Sequence, residues 1–129
     1  MISCIIIEDQ APAQRVLKKY IQDVGTLELK AVFSNAIEAL EYLKSHSIDL
    51  MFLDIHLPKI SGIDFLKTIV NPPAVIFTTA FSDYAVQGYE LNVVDYLVKP
   101  FSFERFVQAI NKVQPKESVQ DTSANLSFL

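Results

Sequence analysis

The 129-residue chain has one cysteine, three glycines and no cluster of basic residues. Cys4 has no second thiol to pair with, so no internal disulfide forms, which fits a reducing cytoplasm. It lies in the apolar run Cys4-Ile5-Ile6-Ile7 and reads as a small packing hydrophobe. The glycines stand at 25, 62 and 88, and none is placed to build the phosphate-binding turn of a dinucleotide fold. Eleven scattered Lys and Arg face fifteen acids, for a net charge of −4, so direct nucleic-acid binding by this chain is not expected. No apolar run approaches the roughly 20 residues of a membrane span. Met1-Ile2-Ser3 lacks the basic stretch of a secretory signal, so none is expected.

What is present suits one globular domain: half the residues are apolar and a fifth are charged. Five β-rich runs alternate with helix-patterned ones. The runs are Ile2 to Ile7, Leu27 to Phe33, Ile48 to Leu53, Ala74 to Phe77 and Val93 to Val98. The first, third and fourth are almost continuously apolar, as strands covered on both faces are; the second alternates, as an edge strand does. Residues 13–24 carry one apolar stripe: Ala13, Val16, Leu17, Tyr20, Ile21 and Val24. Pro12 suits the first turn of that helix. Asn35 with Glu38 predicts a capped helix through Leu43. Gly62 to Val70 and Ser82 to Leu91 predict two more helices. Ser102 caps a last one, with Phe103, Phe106, Val107, Ile110 and Val113 along its stripe. Such alternation predicts a parallel sheet with helices on both faces.

Ligands gather beyond the carboxyl ends of such strands. Glu8 and Asp9 follow the first strand, Asp54 the third, Thr78 and Thr79 the fourth, and Lys99-Pro100 the fifth. If these strands are neighbours, three carboxylates, a hydroxyl and an ammonium share one rim. Carboxylates crowded without a cation are costly. An all-oxygen set of this kind suits Mg²⁺, which in turn attracts a phosphoryl group, with Lys99 opposite.

Four separated pieces stand at these strand ends: "IIIED" (Ile5–Asp9), "FLDIHLP" (Phe52–Pro58), "FTTA" (Phe77–Ala80) and "DYLVKPF" (Asp95–Phe101). Together, in this order, they resemble the receiver domain of two-component response regulators over about residues 2–113. The block from Phe77 to Phe101 also resembles receivers that precede LytTR-type DNA-binding domains. The resemblance implies a flavodoxin-like (βα)5 fold, a doubly wound five-stranded parallel sheet of order 2-1-3-4-5. It implies that Asp54 accepts a phosphoryl group from a sensor histidine kinase. Asp9 and Asp54 would coordinate Mg²⁺ with Glu8 assisting and the His56 backbone carbonyl completing the protein ligands. Lys99 would pair with the phosphoryl oxygens, Thr79 would swing onto them, and Tyr96 would turn inward as Thr79 moves. Pro58 and Gly62 would shape the loop after Asp54, Lys99-Pro100 would be cis, and His56 and Phe81 would tune hydrolysis. Thr79 is preferred to Thr78 because the family pattern sets a small residue next, here Ala80, and because neighbours on a strand face opposite ways.

The implied protein is a cytoplasmic regulatory domain rather than an enzyme with an external substrate. The expected domain is 1–114. Residues 115–129 read as a flexible tail or a linker to an output domain beyond Leu129 that controls transcription. A homodimer is expected through the Ser82 to Leu91 helix, the fifth strand and the last helix. That surface would carry Asp83, Tyr84, Gln87, Tyr96, Arg105, Gln108 and Lys112. The alternatives are a flavodoxin-like FMN binder and an unphosphorylated pseudo-receiver scaffold. The acidic EDQAP loop would repel a bare phosphate, against the first. The intact acceptor set argues against the second. A haloacid-dehalogenase-type phosphatase would need an acid where His56 stands.

Overall fold

The computed structural model describes residues 1–81 and 93–113. The predicted helix from Ser82 to Leu91 and the 115–129 tail lie outside the described residues. The elements are β1 (Ile2–Ile7), α1 (Ala11–Val24), β2 (Leu27–Phe33), α2 (Ala36–Leu43), β3 (Leu50–Asp54), α3 (Gly62–Lys67), β4 (Ala74–Thr79), β5 (Asp95–Val98) and α4 (Phe103–Ile110). The strands form one sheet of order β2-β1-β3-β4-β5, every pair parallel. This is the expected doubly wound arrangement, with β2 at an edge.

Strand alternation divides the core into two layers. Cys4, Ile6, Phe52, Ile76 and Leu97 pack with Leu17 and Ile21 of α1 and Phe106, Ala109 and Ile110 of α4. Ile5, Ile7, Met51, Leu53, Val75 and Phe77 pack with Ala36 and Ala39 of α2 and Ile63, Phe65 and Leu66 of α3. Cys4 is fully buried, and burial pushes its thiol up to about 12, so it stays neutral and inert. α1 ends at Gly25 with φ 75°, a left-handed position that glycine adopts without strain. Asn35, Ser61 and Ser102 cap α2, α3 and α4, each accepting a backbone N–H three residues on.

Several ends differ from the sequence reading. β3 begins at Leu50, because the Asp49 carboxylate is taken by the Ser3 N–H (3.0 Å) and hydroxyl (3.1 Å). α3 stops at Lys67. The Thr68 hydroxyl donates to the Phe65 carbonyl at 2.7 Å and closes the last turn, leaving Val70 exposed. β5 begins at Asp95, whose carboxylate turns to α4. α4 ends at Ile110 in a tighter turn, where Lys112 N–H donates to Ala109 O and Val113 N–H to Ile110 O. β4 runs on through Thr78 and Thr79, so both hydroxyl residues lie in the sheet.

Candidate functional site

The site lies where β1, β3, β4 and β5 end. Glu8 stays in the sheet one residue past β1, its N–H donating to Phe33 O at 2.9 Å. The Gln10 N–H then donates to Glu8 Oε2 at 3.1 Å, and Gln14 Nε2 donates to Glu8 O at 2.6 Å. These contacts fold Glu8 inward, where it is fully buried, and leave Asp9 exposed. Asp54 ends β3, 4% exposed, with the His56 N–H on its Oδ1 at 3.1 Å. One oxygen each from Glu8, Asp9 and Asp54 lie within 4.8 Å of one another. Three hard oxygen donors, two buried and the Asp9 carboxylate exposed to solvent, fit a divalent ion such as Mg²⁺, which keeps several waters of its own.

Lys99 reaches in from the end of β5. Its Nζ lies 2.7 Å from Glu8 Oε1 and 3.5 Å from Asp54 Oδ2. Burial raises the Glu8 carboxyl above its usual range and Asp54 adds to this; the Lys99 and Gln10 hydrogen bonds oppose it. Lys99 thus supplies the positive charge that two adjacent buried acids require. Lys99-Pro100 is cis, as the resemblance implies.

The two threonines separate. Thr78 is the register partner of Asp54 and by alternation shares its side of the sheet; Thr79 faces the other way. Both are buried. Thr79 Oγ1 accepts the Phe81 N–H at 3.0 Å, whereas Thr78 Oγ1 has no hydrogen-bond partner among the described residues. A buried hydroxyl without a partner forfeits its hydration. Thr78→Val is therefore expected to stabilise the domain by about 1 kcal/mol, read as a higher urea midpoint at unchanged slope. A lower midpoint would mean that the hydroxyl has a partner.

Tyr96 lies on Phe77, ring centroids 5.4 Å apart, and its hydroxyl is likewise buried without a partner among the described residues. Burial pushes that phenol up to about 12. His56 and Phe81 meet edge to face at 5.0 Å, at the ends of β3 and β4. Both are exposed. The loop between β3 and α3 returns tightly: Ile60 N–H donates to Pro58 O at 2.8 Å, Lys59 has φ 72°, and Gly62 N–H donates to Ile55 O at 2.7 Å.

Beside the rim, α1 and the residues after β5 enclose a cavity of about 430 Å³ that includes Glu8, Thr78 and Lys99 in its lining. Tyr20, read from the sequence only as part of an apolar stripe, lines this cavity and donates its hydroxyl to Phe101 O at 3.0 Å. The sequence signal for it was a tyrosine within the stripe, since a buried tyrosine hydroxyl generally needs a partner. Of the residues on the expected dimer surface, Asp83, Tyr84 and Gln87 lie outside the described residues. Arg105 and Lys112 both bind Asp95 at 2.8 Å. Burial pushes the Asp95 carboxyl up, but the hydrogen bonds from Arg105, Lys112 and the Tyr96 N–H outweigh it and hold it at about 2.

The response regulator receiver domain family matches residues 4–111. The transcriptional regulatory protein LytR of Staphylococcus aureus (strain bovine RF122 / ET3-1) is 38% identical over 127 residues, covering 96% of this chain and 52% of that protein. The chain thus spans about half the length of the curated relatives it matches. The response regulatory domain of mrkE from Klebsiella pneumoniae superposes with a TM-score of 0.80 at 29% identity, covering 87% of this chain and 94% of that one. Response regulator TrrA from Thermotoga maritima, in complex with Mg²⁺–BeF, gives a TM-score of 0.77 at 28% identity, covering 88% of this chain and 100% of that one. These neighbours share the flavodoxin-like sheet order, and no described helix is long and apolar enough to cross a membrane. Acids and lysine meeting at the ends of a 2-1-3-4-5 sheet agree with the match along the sequence: the chain belongs to the response regulator receiver domain family.

Proposed function

We propose that the chain is a phosphorylatable switch whose acceptor is Asp54. The observation that carries this reading is Lys99 Nζ set 2.7 Å from Glu8 and 3.5 Å from Asp54, beside three carboxylates whose oxygens lie within 4.8 Å. An acceptor carboxylate needs a cation on each side, because the arriving phosphoryl group adds negative charge to a site already acidic. Glu8, Asp9, Asp54 and the His56 carbonyl would hold Mg²⁺, which when bound neutralises phosphoryl oxygens.

A sensor histidine kinase presents a phosphohistidine. An Asp54 carboxylate oxygen attacks phosphorus in line, the P–N bond breaks, and its electron pair returns to the imidazole. Lys99 turns its ammonium from Glu8 toward the phosphoryl oxygens. The Thr79 side chain starts on the face away from Asp54, but it is the last residue of β4, so its hydroxyl leaves the Phe81 N–H and swings round the strand end to donate to one of them. Tyr96, packed beside β4 on Phe77, responds to that movement. The result is a population shift no larger than the differential contacts the phosphoryl group makes in the two states.

Output follows as homodimerisation through the surface of β5, α4 and the residues that precede β5. In the longer protein this would drive a LytTR-type DNA-binding domain, a reading supported by the likeness to LytR. Residues 1–114 form the receiver, 115–129 lead toward that output, and the whole works in the cytoplasm. The Asp95 carboxylate already engages Arg105 and Lys112, so a dimer contact using either cation must exchange this internal pair for one across the interface.

The test is incubation with acetyl phosphate and Mg²⁺, followed by intact mass. The expected result is one acid-stable, base-labile phosphoryl adduct, absent from Asp54→Ala and after chelation of Mg²⁺. No adduct on the natural chain removes the reading; tight retention of FMN would favour a flavodoxin-like module. The domain then slowly hydrolyses its own acyl phosphate. The His56–Phe81 pair screens the water approach at the ends of β3 and β4. Phe81→Ala is expected to shorten the adduct's half-life, read by intact mass over time, because it opens the ends of β3 and β4 to water. An equal or longer half-life would contradict that screen.

A further inference from the structure

We infer that Tyr20 is a positioning residue for Lys99. The inference rests on the reading of Asp54 as phosphoacceptor. The chain after β5 has unequal support on its two sides. Toward the sheet, the Lys99 N–H donates to Thr79 O at 2.7 Å. Toward α1 lies the cavity of about 430 Å³ walled by Pro12, Ala13, Val16 and Leu17, so packing alone does not fix the loop there. Pro100 has no N–H to contribute. In the wall of that cavity, the Tyr20 hydroxyl donates to Phe101 O at 3.0 Å, a contact spanning 81 residues of sequence.

The Tyr20 ring is held in turn. Its centroid lies 5.9 Å from Phe101, 5.4 Å from Phe103 and 5.4 Å from Phe106, each at a steep interplanar angle. Phe106 is fully buried in the core layer beneath α1 and α4. Tyr20 therefore carries the rigidity of the core to a carbonyl two residues past Lys99. α1 also begins directly after Glu8 and Asp9, so one helix sets the acids at its first end and, through Tyr20, the lysine loop farther along. The consequence for chemistry is register. The Lys99 ammonium must span from Glu8 to the phosphoryl position, and sub-ångström drift of its backbone weakens transition-state stabilisation more than ground-state binding.

Tyr20→Phe keeps the ring cluster and deletes the hydroxyl. The expected result is a maximal rate of phosphorylation by acetyl phosphate about two- to tenfold lower, the range spanned by one hydrogen bond. Mg²⁺ affinity, measured by calorimetry with the metal alone, stays at the wild-type value because Glu8 and Asp9 follow β1 and Asp54 ends β3, whereas the Tyr20 hydroxyl holds the loop after β5. In a Lys99→Ala background the same Tyr20→Phe change is expected to produce no further loss, since its effect acts through the lysine. Three outcomes overturn the inference: a wild-type rate in Tyr20→Phe, an equal fold loss in both backgrounds, or a weakened Mg²⁺ affinity. Failure of the underlying reading looks different, because the wild-type chain would then take up no phosphoryl group at all.

Discussion

Gly62→Ala is expected to lose about 3 kcal/mol of folding stability and to slow phosphorylation by about a hundredfold. A Cβ at position 62 would collide with the Asp54 carbonyl oxygen, and would also lie 3.0 Å from the Asp54 carbonyl carbon and 3.1 Å from Ile55 Cα. All three are backbone atoms, so no rotamer change relieves the clash. The Gly62 N–H also donates to Ile55 O at 2.7 Å, and Ser61 caps α3 one residue earlier. The glycine is therefore clamped from both sides, and relief must come from moving the end of β3. That end carries Asp54. Overpacking typically costs about 1–3 kcal/mol, and contact with backbone belongs at the upper limit. Urea unfolding reads the first effect and acetyl phosphate uptake the second. A wild-type midpoint with a wild-type rate would show that the loop accommodates a methyl group and does not set the position of Asp54.

The fold was legible because its signals are local. Continuous apolar runs, the helix-patterned segments between them and the alternation of the two fix a parallel sheet, and a parallel sheet fixes which residues share a rim. Glu8, Asp9, Asp54 and Lys99 could be gathered from the sequence for that reason alone. The element ends were less legible. Asp49 leaves β3 for Ser3, and Thr68 closes α3 early, each through a side chain competing with the regular backbone pattern. Tyr20 and Thr78 mark a different limit. Periodicity assigns each a face, but whether a hydroxyl finds a partner depends on how distant segments meet. Tyr20 reaches Phe101, 81 residues away, and Thr78 has no partner among the described residues.

The sequence reading also left the metal-free state undescribed, for the same reason. It set Lys99 opposite the acids as a partner for phosphoryl oxygens. The structure finds it on Glu8, closer than on Asp54. On the proposed function Lys99 would have two successive roles, neutralising a buried acid before phosphorylation and a phosphoryl group after it. The first role governs stability as well as signalling.

Lys99→Met tests that first role, because methionine keeps most of the apolar stem and removes the ammonium. At pH 7 the variant is expected to be about 2 kcal/mol less stable than the wild type. This lies below the roughly 3–5 kcal/mol of breaking a wholly buried pair, since the Lys99 side chain is 23% exposed and Glu8 can take up a proton. The pH dependence has a definite sign. Burial already raises the Glu8 carboxyl in the folded domain, and losing the Lys99 hydrogen bond raises it further above its unfolded value. The folded variant therefore binds a proton more tightly than the unfolded chain. Its stability with respect to this group is greatest below the unfolded carboxyl value, about 4.3, and falls as pH rises through the folded one. The gap to the wild type should thus widen between pH 5 and pH 8, as read in matched urea titrations. Mg²⁺ should narrow the gap at pH 8, because a cation among Glu8, Asp9 and Asp54 supplies the charge the variant lacks. A gap that is constant with pH and indifferent to Mg²⁺ would mean that Glu8 does not depend on Lys99.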